Sequence, residues 1–234
     1  MVCDFAVNFT RLSAQYITHL VSHNIRLISY IKKMLTLRYP LVLASGSPRR
    51  KQLLTDAGFA FTIETRPTDE AFPDTMPPDD VAEFLACQKA AEFNRDVGNR
   101  LILTADTVVI LDNQILNKPA DAAEAYRMLR SLSGRSHRVR TGVCILAPGG
   151  SVPDVDSPGE LVSFTDEAVV NFSDLTDAEI EYYIRVCQPF DKAGAYGAQD
   201  FIGLIGVKRI DGSFYTVMGL PTHQVYQALK RWAL

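Results

Sequence analysis

The stretch LVLASGSPRRKQLLTDAG, residues 41–58, decides the class of fold. Leu41, Val42, Leu43 and Ala44 form a short apolar run of the kind a buried strand shows. Ser45-Gly46 turns the chain, and Ser47-Pro48 starts a helix. A serine oxygen at the N-cap accepts from orphan backbone amides, and proline suits the first helical position, where its missing N–H is not needed. Leu53, Leu54 and Ala57 give this helix an inward face, and Gly58 ends it.

Strand and helix signals alternate onward from there. Phe59 to Glu64 reads as a second strand. Arg66 to Asp80, with Pro67, Pro73, Pro77 and Pro78, reads as a loop. A helix follows with Val81, Phe84 and Leu85 facing inward. Leu101 to Leu111 is an apolar strand holding one charge, Asp106, and Asp112-Asn113-Gln114 is a turn. Asp121 and Glu124 open a helix whose inner face is Ala125, Met128, Leu129 and Leu132. Val139 to Leu146 and Leu161 to Phe172 are strands, and the linker-like Pro148–Gly159 between them is expected to join strands rather than domains. Thr176-x-x-Glu179 is a capping box with Ile180, Tyr183, Ile184 and Cys187 beneath it. Asp211-Gly212 between two apolar runs predicts a hairpin within Phe201–Val217. Pro221 begins a last helix striped by Val225, Ala228, Leu229 and Trp232. The pattern predicts a mixed α/β fold: one continuous domain over residues 39–234, in two lobes around a cleft.

Composition narrows the function classes. The chain has 234 residues, 24 Lys+Arg against 27 Asp+Glu, 47% apolar and 22% charged residues, close to the average for soluble globular proteins. A near-neutral total argues against a partner that is a nucleic-acid polymer. The charge is uneven. Residues 1–38 carry five basic groups and one acid, whereas 39–234 carry 19 basic and 26 acidic side chains. Ile17, Leu20, Val21, Asn24, Leu27, Ile28 and Ile31 recur at helical spacing in that leader. A transit peptide, a helix docked on the body and an incidental extension all fit it, and Met34, just ahead of the first strand, would serve as an initiator. The leader lacks the uninterrupted apolar run of a membrane span, and no secretory cleavage site follows it. Cys3, Cys87, Cys144 and Cys187 are widely spaced with no metal-ligand pattern, so free thiols in a reducing compartment, the cytoplasm, are expected.

Four segments carry candidate chemistry. Ser45 to Arg50 joins a helix N-terminus, with its free amides, to two arginines whose planar forks match phosphate oxygens. Solvated arginines on an ordinary capped helix would read the same way. Asp106 is a lone carboxylate in an apolar strand, costly unless paired, hydrogen-bonded or on a metal; Thr104 and Thr107 offer hydroxyls beside it. Lys118 sits on a restricted X-Pro segment, Lys89 on the rim of its helix, and Glu70 in the Pro-rich loop would serve as a second carboxylate for a divalent cation. In Asp191–Gln199, small and polar residues alternate, so backbone can pass close to a ligand while Gln199 offers the donor and acceptor that reading a nucleobase edge requires. HExxH and GxSxG are absent, which removes zinc and serine hydrolases.

These segments, in this order, resemble the Maf family of nucleoside triphosphate pyrophosphatases. The matching motifs are LASGSPRRKQLL (43–54), DE (69–70), QKA (88–90), TADTVV (104–109), NKP (117–119), LSGRSH (132–137), DKAGAYGAQ (191–199) and GSFYTVMGLP (212–221). The resemblance implies a fold like that of inosine triphosphate pyrophosphatases with a central cleft. It also implies metal-dependent hydrolysis of a nucleoside triphosphate, in a house-cleaning role, to the monophosphate and pyrophosphate. The DKAGAYGxQ form resembles the branch acting on dTTP and UTP. By that resemblance Asp106 is the proton acceptor; Arg49, Thr107 and Gln199 are substrate-specificity positions; and Ser45, Glu70, Lys89 and Lys118 match further functional positions. Mg²⁺ or Mn²⁺ held by Glu70 and Asp106 is the implied cofactor. A small-molecule triphosphate is the implied partner, without a membrane, and a homodimer is left open. A house-cleaning pyrophosphatase for another base is the runner-up enzyme. A nucleotide-binding regulator of cell division without turnover is the alternative of a different class. Departures from the family pattern are the leader, the Pro148–Gly159 insert, and Ala198 where a larger aliphatic is usual.

Overall fold

A computed structural model describes residues 35–149 and 160–234. Its centre is a seven-stranded mixed sheet in the order β2-β1-β3-β5-β6-β7, with β4 paired to β3 off that path. The strands are β1 (Leu41–Leu43), β2 (Phe61–Ile63), β3 (Leu101–Leu111), β4 (Gln114–Leu116), β5 (Ser136–Ala147), β6 (Glu160–Phe172) and β7 (Val207–Asp211). The helices are α1 (Pro48–Asp56), α2 (Pro78–Ala91), α3 (Ala122–Leu132), α4 (Asp177–Cys187), α5 (Phe201–Gly206), α6 (Phe214–Met218) and α7 (Thr222–Leu229). Pairing is parallel for β1 with β2 and β3, and antiparallel from β3 through β5 and β6 to β7.

The opening stretch folds as its residues demand. Ser47 caps α1 by accepting from the Arg50 amide, Pro48 stands at the first turn, and Leu53 and Leu54 are buried beneath it. Asp121 caps α3 by accepting from the Glu124 amide at 2.7 Å. Thr176 and Glu179 complete a reciprocal capping box on α4. Ala147 pairs with Glu160, so the linker-like segment does bridge neighbouring strands; its residues 150–159 lie outside the described residues, as does the amphipathic part of the leader. Residues 35–38, grouped with that leader by composition, pair instead with the C-terminal end. Arg38 donates to the Trp232 carbonyl at 2.8 Å and Leu234 to that of Thr36 at 2.9 Å.

Three local expectations are corrected. No hairpin forms at Asp211-Gly212: β7 pairs with β6, Gly212 passes against Ala168, and Ser213 caps α6 instead. The apolar run before that strand, Phe201–Gly206, is helical. Phe84 is 38% exposed, because Val81, Ala82, Leu85 and Ala86 make the buried stripe of α2. The turn expected at Asp112-Asn113 does form: both residues take left-handed backbone and fold Gln114–Leu116 back as β4.

Of four apolar clusters among the described residues, the two largest flank the middle of the sheet. One gathers α3, α4 and α5 around Val109, Val139 and Val170; the other gathers α1, α7 and Trp232 around Leu41, Leu103 and Ile145. Helix α2 lies across β3 and β5, so closely that a Cβ at Gly142 would fall 2.3 Å from the backbone of Ala82.

Candidate active site

The register of β3 creates the site. One edge pairs with β5 from Ile102 to Ile110. The other pairs with β1 at Leu101–Leu103 and with β4 at Val109–Leu111, and among the described residues no strand covers Thr104–Val108. Asp106 and Thr107 stand in that gap. Beyond Leu43 the chain leaves the sheet as the Ser45–Ser47 turn, so the N-terminus of α1 closes one side of the opening. The result is a cleft of about 650 Å³.

Eight of the residues singled out from sequence line this one cleft: Ser45, Arg49, Glu70, Lys89, Asp106, Thr107, Lys118 and Gln199; Thr104 does not, being fully buried and donating to the Ala86 carbonyl at 2.7 Å. Helix α2 delivers Lys89, whose ammonium lies between two carboxylates, paired with Asp106 and 2.8 Å from Glu70 Oε1. Lys118 Nζ stands 3.7 Å from the other Glu70 oxygen. The hydrogen bond from Lys89 holds the Glu70 carboxyl below its usual range, so it is ionised at neutral pH. Asp106 and Lys89 are mostly shielded from water, where an ion pair is stronger than on the surface.

Arg49 and Arg50, adjacent in sequence, do different things. Arg49 reaches outward to Asp191 Oδ2 at 3.0 Å. Burial raises the Asp191 carboxyl, but hydrogen bonds from Lys192 and Arg49 outweigh it and the net shift is downward. Arg50, which sequence reasoning did not single out from its neighbour, turns inward. Its guanidinium donates to the Gly219 carbonyl at 2.8 Å, to Thr107 Oγ1 at 3.1 Å and to Ser45 Oγ at 3.3 Å. Burial lowers its pKa while Asp106 works against that, and it remains cationic. The missed signal was positional: Arg50 precedes the buried Leu53 and Leu54 by three and four residues, so it shares their face.

At the other wall, Gln199 Oε1 is buried without a partner. A Cβ on Gly197 would come 2.6 Å from Asp200 Oδ2 and 2.9 Å from Gln199 Nε2, so both side chains would have to shift. An unpaired buried carbonyl is costly and awaits a donor. Tyr183 accepts from the Gly197 amide at 3.2 Å and donates to Asp200 at 2.9 Å, which steadies this loop from below. Ala198 does not line the cleft; it is buried in the core beneath.

The donor set bears on the metal. Among the described residues no group of three or more His, Cys, Asp and Glu side chains could cage an ion. Glu70 and Asp106 alone, facing a common lysine, are hard oxygen donors. Such a pair suits Mg²⁺ or Mn²⁺, which bind through one or two carboxylates together with waters and substrate phosphates. The residues therefore fit that cofactor and fit zinc poorly.

A cleft at a broken strand edge, cationic at one wall and with an unpaired amide at the other, is the arrangement of a nucleotide-handling enzyme. Residues 40–232 match the family model described as Maf-like protein, and the chain belongs to that family. Its relatives include proteins named dTTP/UTP pyrophosphatase. That of Phocaeicola vulgatus is 43% identical over 83% of this chain and 96% of its own length. That of Porphyromonas gingivalis is 45% identical over 82% and 94%. Among solved structures, the Staphylococcus aureus Ham1 protein aligns with 81% of this chain and 98% of its own, at 13% identity and a TM-score of 0.43. A likeness that slight carries no weight beside the sheet order itself. None of the described helices is long and apolar enough to cross a membrane.

Proposed function

We propose that the protein is a nucleoside triphosphate pyrophosphatase that hydrolyses dTTP and UTP to the monophosphate and pyrophosphate. The observation that carries this reading is the gap in β3, which presents Asp106 and Thr107 to one cleft between the Lys89–Glu70–Lys118 cluster and the unpaired amide of Gln199. The activity named for the bacterial relatives supports it.

Cleavage between the α- and β-phosphates needs positioning, neutralised charge and a base for water. Lys89, Lys118 and Arg49 offset the charge of the triphosphate, and Ser45 with the first amides of α1 binds its oxygens. Asp106, shielded within the gap, accepts the proton of the attacking water. Arg49, Thr107 and Gln199 discriminate among nucleotides, with Gln199 offering its free carbonyl to a base N–H. Glu70 and Asp106 would hold a divalent cation. When bound, Mg²⁺ or Mn²⁺ supplies charge neutralisation at the phosphates. The cytoplasm is the favoured compartment, consistent with free thiols at Cys87, Cys144 and Cys187.

The test is pyrophosphate release from a panel of triphosphates, wild type beside Asp106→Asn. Wild type should prefer dTTP and UTP, and the variant should lose about 100-fold or more in kcat, the scale of a positioned acid–base group. A purine preference would overturn the substrate. A folded variant with undiminished turnover would remove Asp106 from its role. Binding without turnover in saturating Mg²⁺ or Mn²⁺ would instead describe a nucleotide-binding regulator.

A further inference from the structure

Behind the cleft wall, Thr141 on β5 lies directly opposite Thr107 in the strand register and is fully buried. It does not line the cleft. Its hydroxyl donates to the Thr216 carbonyl in α6 at 2.8 Å, and its oxygen is 2.9 Å from Thr107 Oγ1. A hydroxyl has one hydrogen, and a carbonyl can only accept. The Thr141 proton is therefore committed to Thr216, so in the second contact Thr107 must donate and Thr141 accept. On its other side Thr107 accepts from the Arg50 guanidinium at 3.1 Å. The Thr107 hydrogen is thus spent inside the protein, one lone pair is taken by Arg50, and the lone pair that remains is all it has for the cleft.

The geometry points to Thr141 as a positioning residue that fixes Thr107 as an acceptor toward the substrate. It acts through Thr107 and touches nothing in the cleft itself. A phosphate oxygen, which has no hydrogen to give, is disfavoured at that position. The group met there must be a donor, either the attacking water or the ring N–H of a uracil or thymine base. This inference rests on the cleft being the reaction site described under Proposed function.

A double-mutant cycle tests it. Thr141→Val keeps the shape but can neither accept from Thr107 nor donate to Thr216. It should lower kcat/KM for UTP by about 10-fold, the scale of one hydrogen bond. In a Thr107→Val background the same change should cost less than about twofold, because the residue through which it acts is gone. Thr141→Ser, which keeps the hydroxyl, should recover most of the loss. A merely structural Thr141 would cost the same in both backgrounds, and that result overturns the inference. UTP and CTP, run side by side, separate the two donors. A loss confined to UTP identifies the ring N–H, which cytosine lacks at N3, and an equal loss in kcat for both identifies water. The affinity for a non-hydrolysable dTTP analogue is measured through the same cycle. If wild type turns over no triphosphate, the proposed function fails, while additivity or coupling in affinity still decides the role of Thr141.

Discussion

Asp106 shares β3 with leucine, isoleucine, valine, alanine and threonine, and the strand tolerates it because Lys89 of α2 pairs with it in the gap between β1 and β4. Its oddity was visible in sequence; the reason was not, since it depends on β1 and β4 stopping short of each other on the same edge. His137 is a second buried exception, 3% exposed, with Nε2 2.6 Å from the Tyr196 hydroxyl and no partner at Nδ1. Burial drives its pKa down to about 4. Because the folded value lies below the unfolded one, the folded state binds fewer protons between roughly pH 4 and 6.5. The contribution of His137 is complete above pH 6.5 and is lost as pH falls toward 4. Urea denaturation should show wild type about 2 kcal/mol less stable at pH 5 than at pH 8 from this group alone, and His137→Gln should flatten that part of the profile.

At the level of elements, α2 matters twice: its buried stripe covers β3 and β5, and its last turn carries Lys89 to the site. The helix lies so close because β5 has no side chain at Gly142. Gly142→Ala would force the helix backbone away. Overpacking of this sort costs about 1–3 kcal/mol, to be read as a lower Tm, and turnover should fall with it as Lys89 is displaced. Elements with complete local signals were legible beforehand: the Ser47-Pro48 start of α1, the Asp121 cap, the Thr176–Glu179 box. The failures were those decided by tertiary pairing. Asp211-Gly212 has the chemistry of a hairpin turn, but β7 already had a partner in β6, so the chain beyond it was free to coil under Ser213. Three-residue β4 is too short for any periodicity to reveal. Within the site, the eight residues singled out do converge, whereas the separation of Arg49 from Arg50 depends on which face of α1 is buried.

For the molecule as a whole, the net charge of −3 conceals a cleft where Arg49, Arg50, Lys89 and Lys118 meet. Glu70 and Asp106 are the only carboxylates invoked for a cation, and no part of either apolar cluster depends on one. Chelation with EDTA should therefore abolish turnover while leaving the Tm of the ligand-free protein within about a degree, unlike a structural zinc site, where metal loss unfolds the chain. A fall in Tm alongside activity would show that the cation also holds the fold.

The interruption in β3 has a consequence for solubility as well. Within the gap Thr104, Ala105 and Val108 are buried, and Asp106 and Thr107 are left, among the described residues, as a short stretch of strand edge without a strand partner on one side, the kind of template on which proteins aggregate. Two features disarm it: the opening is short, and a charge, Asp106, stands in it, paired with Lys89. The carboxylate proposed for chemistry thus also guards against pairing with another chain. Substituting it with valine, in place of asparagine, would extend an already apolar strand and should favour self-association, read as a larger species in size-exclusion chromatography.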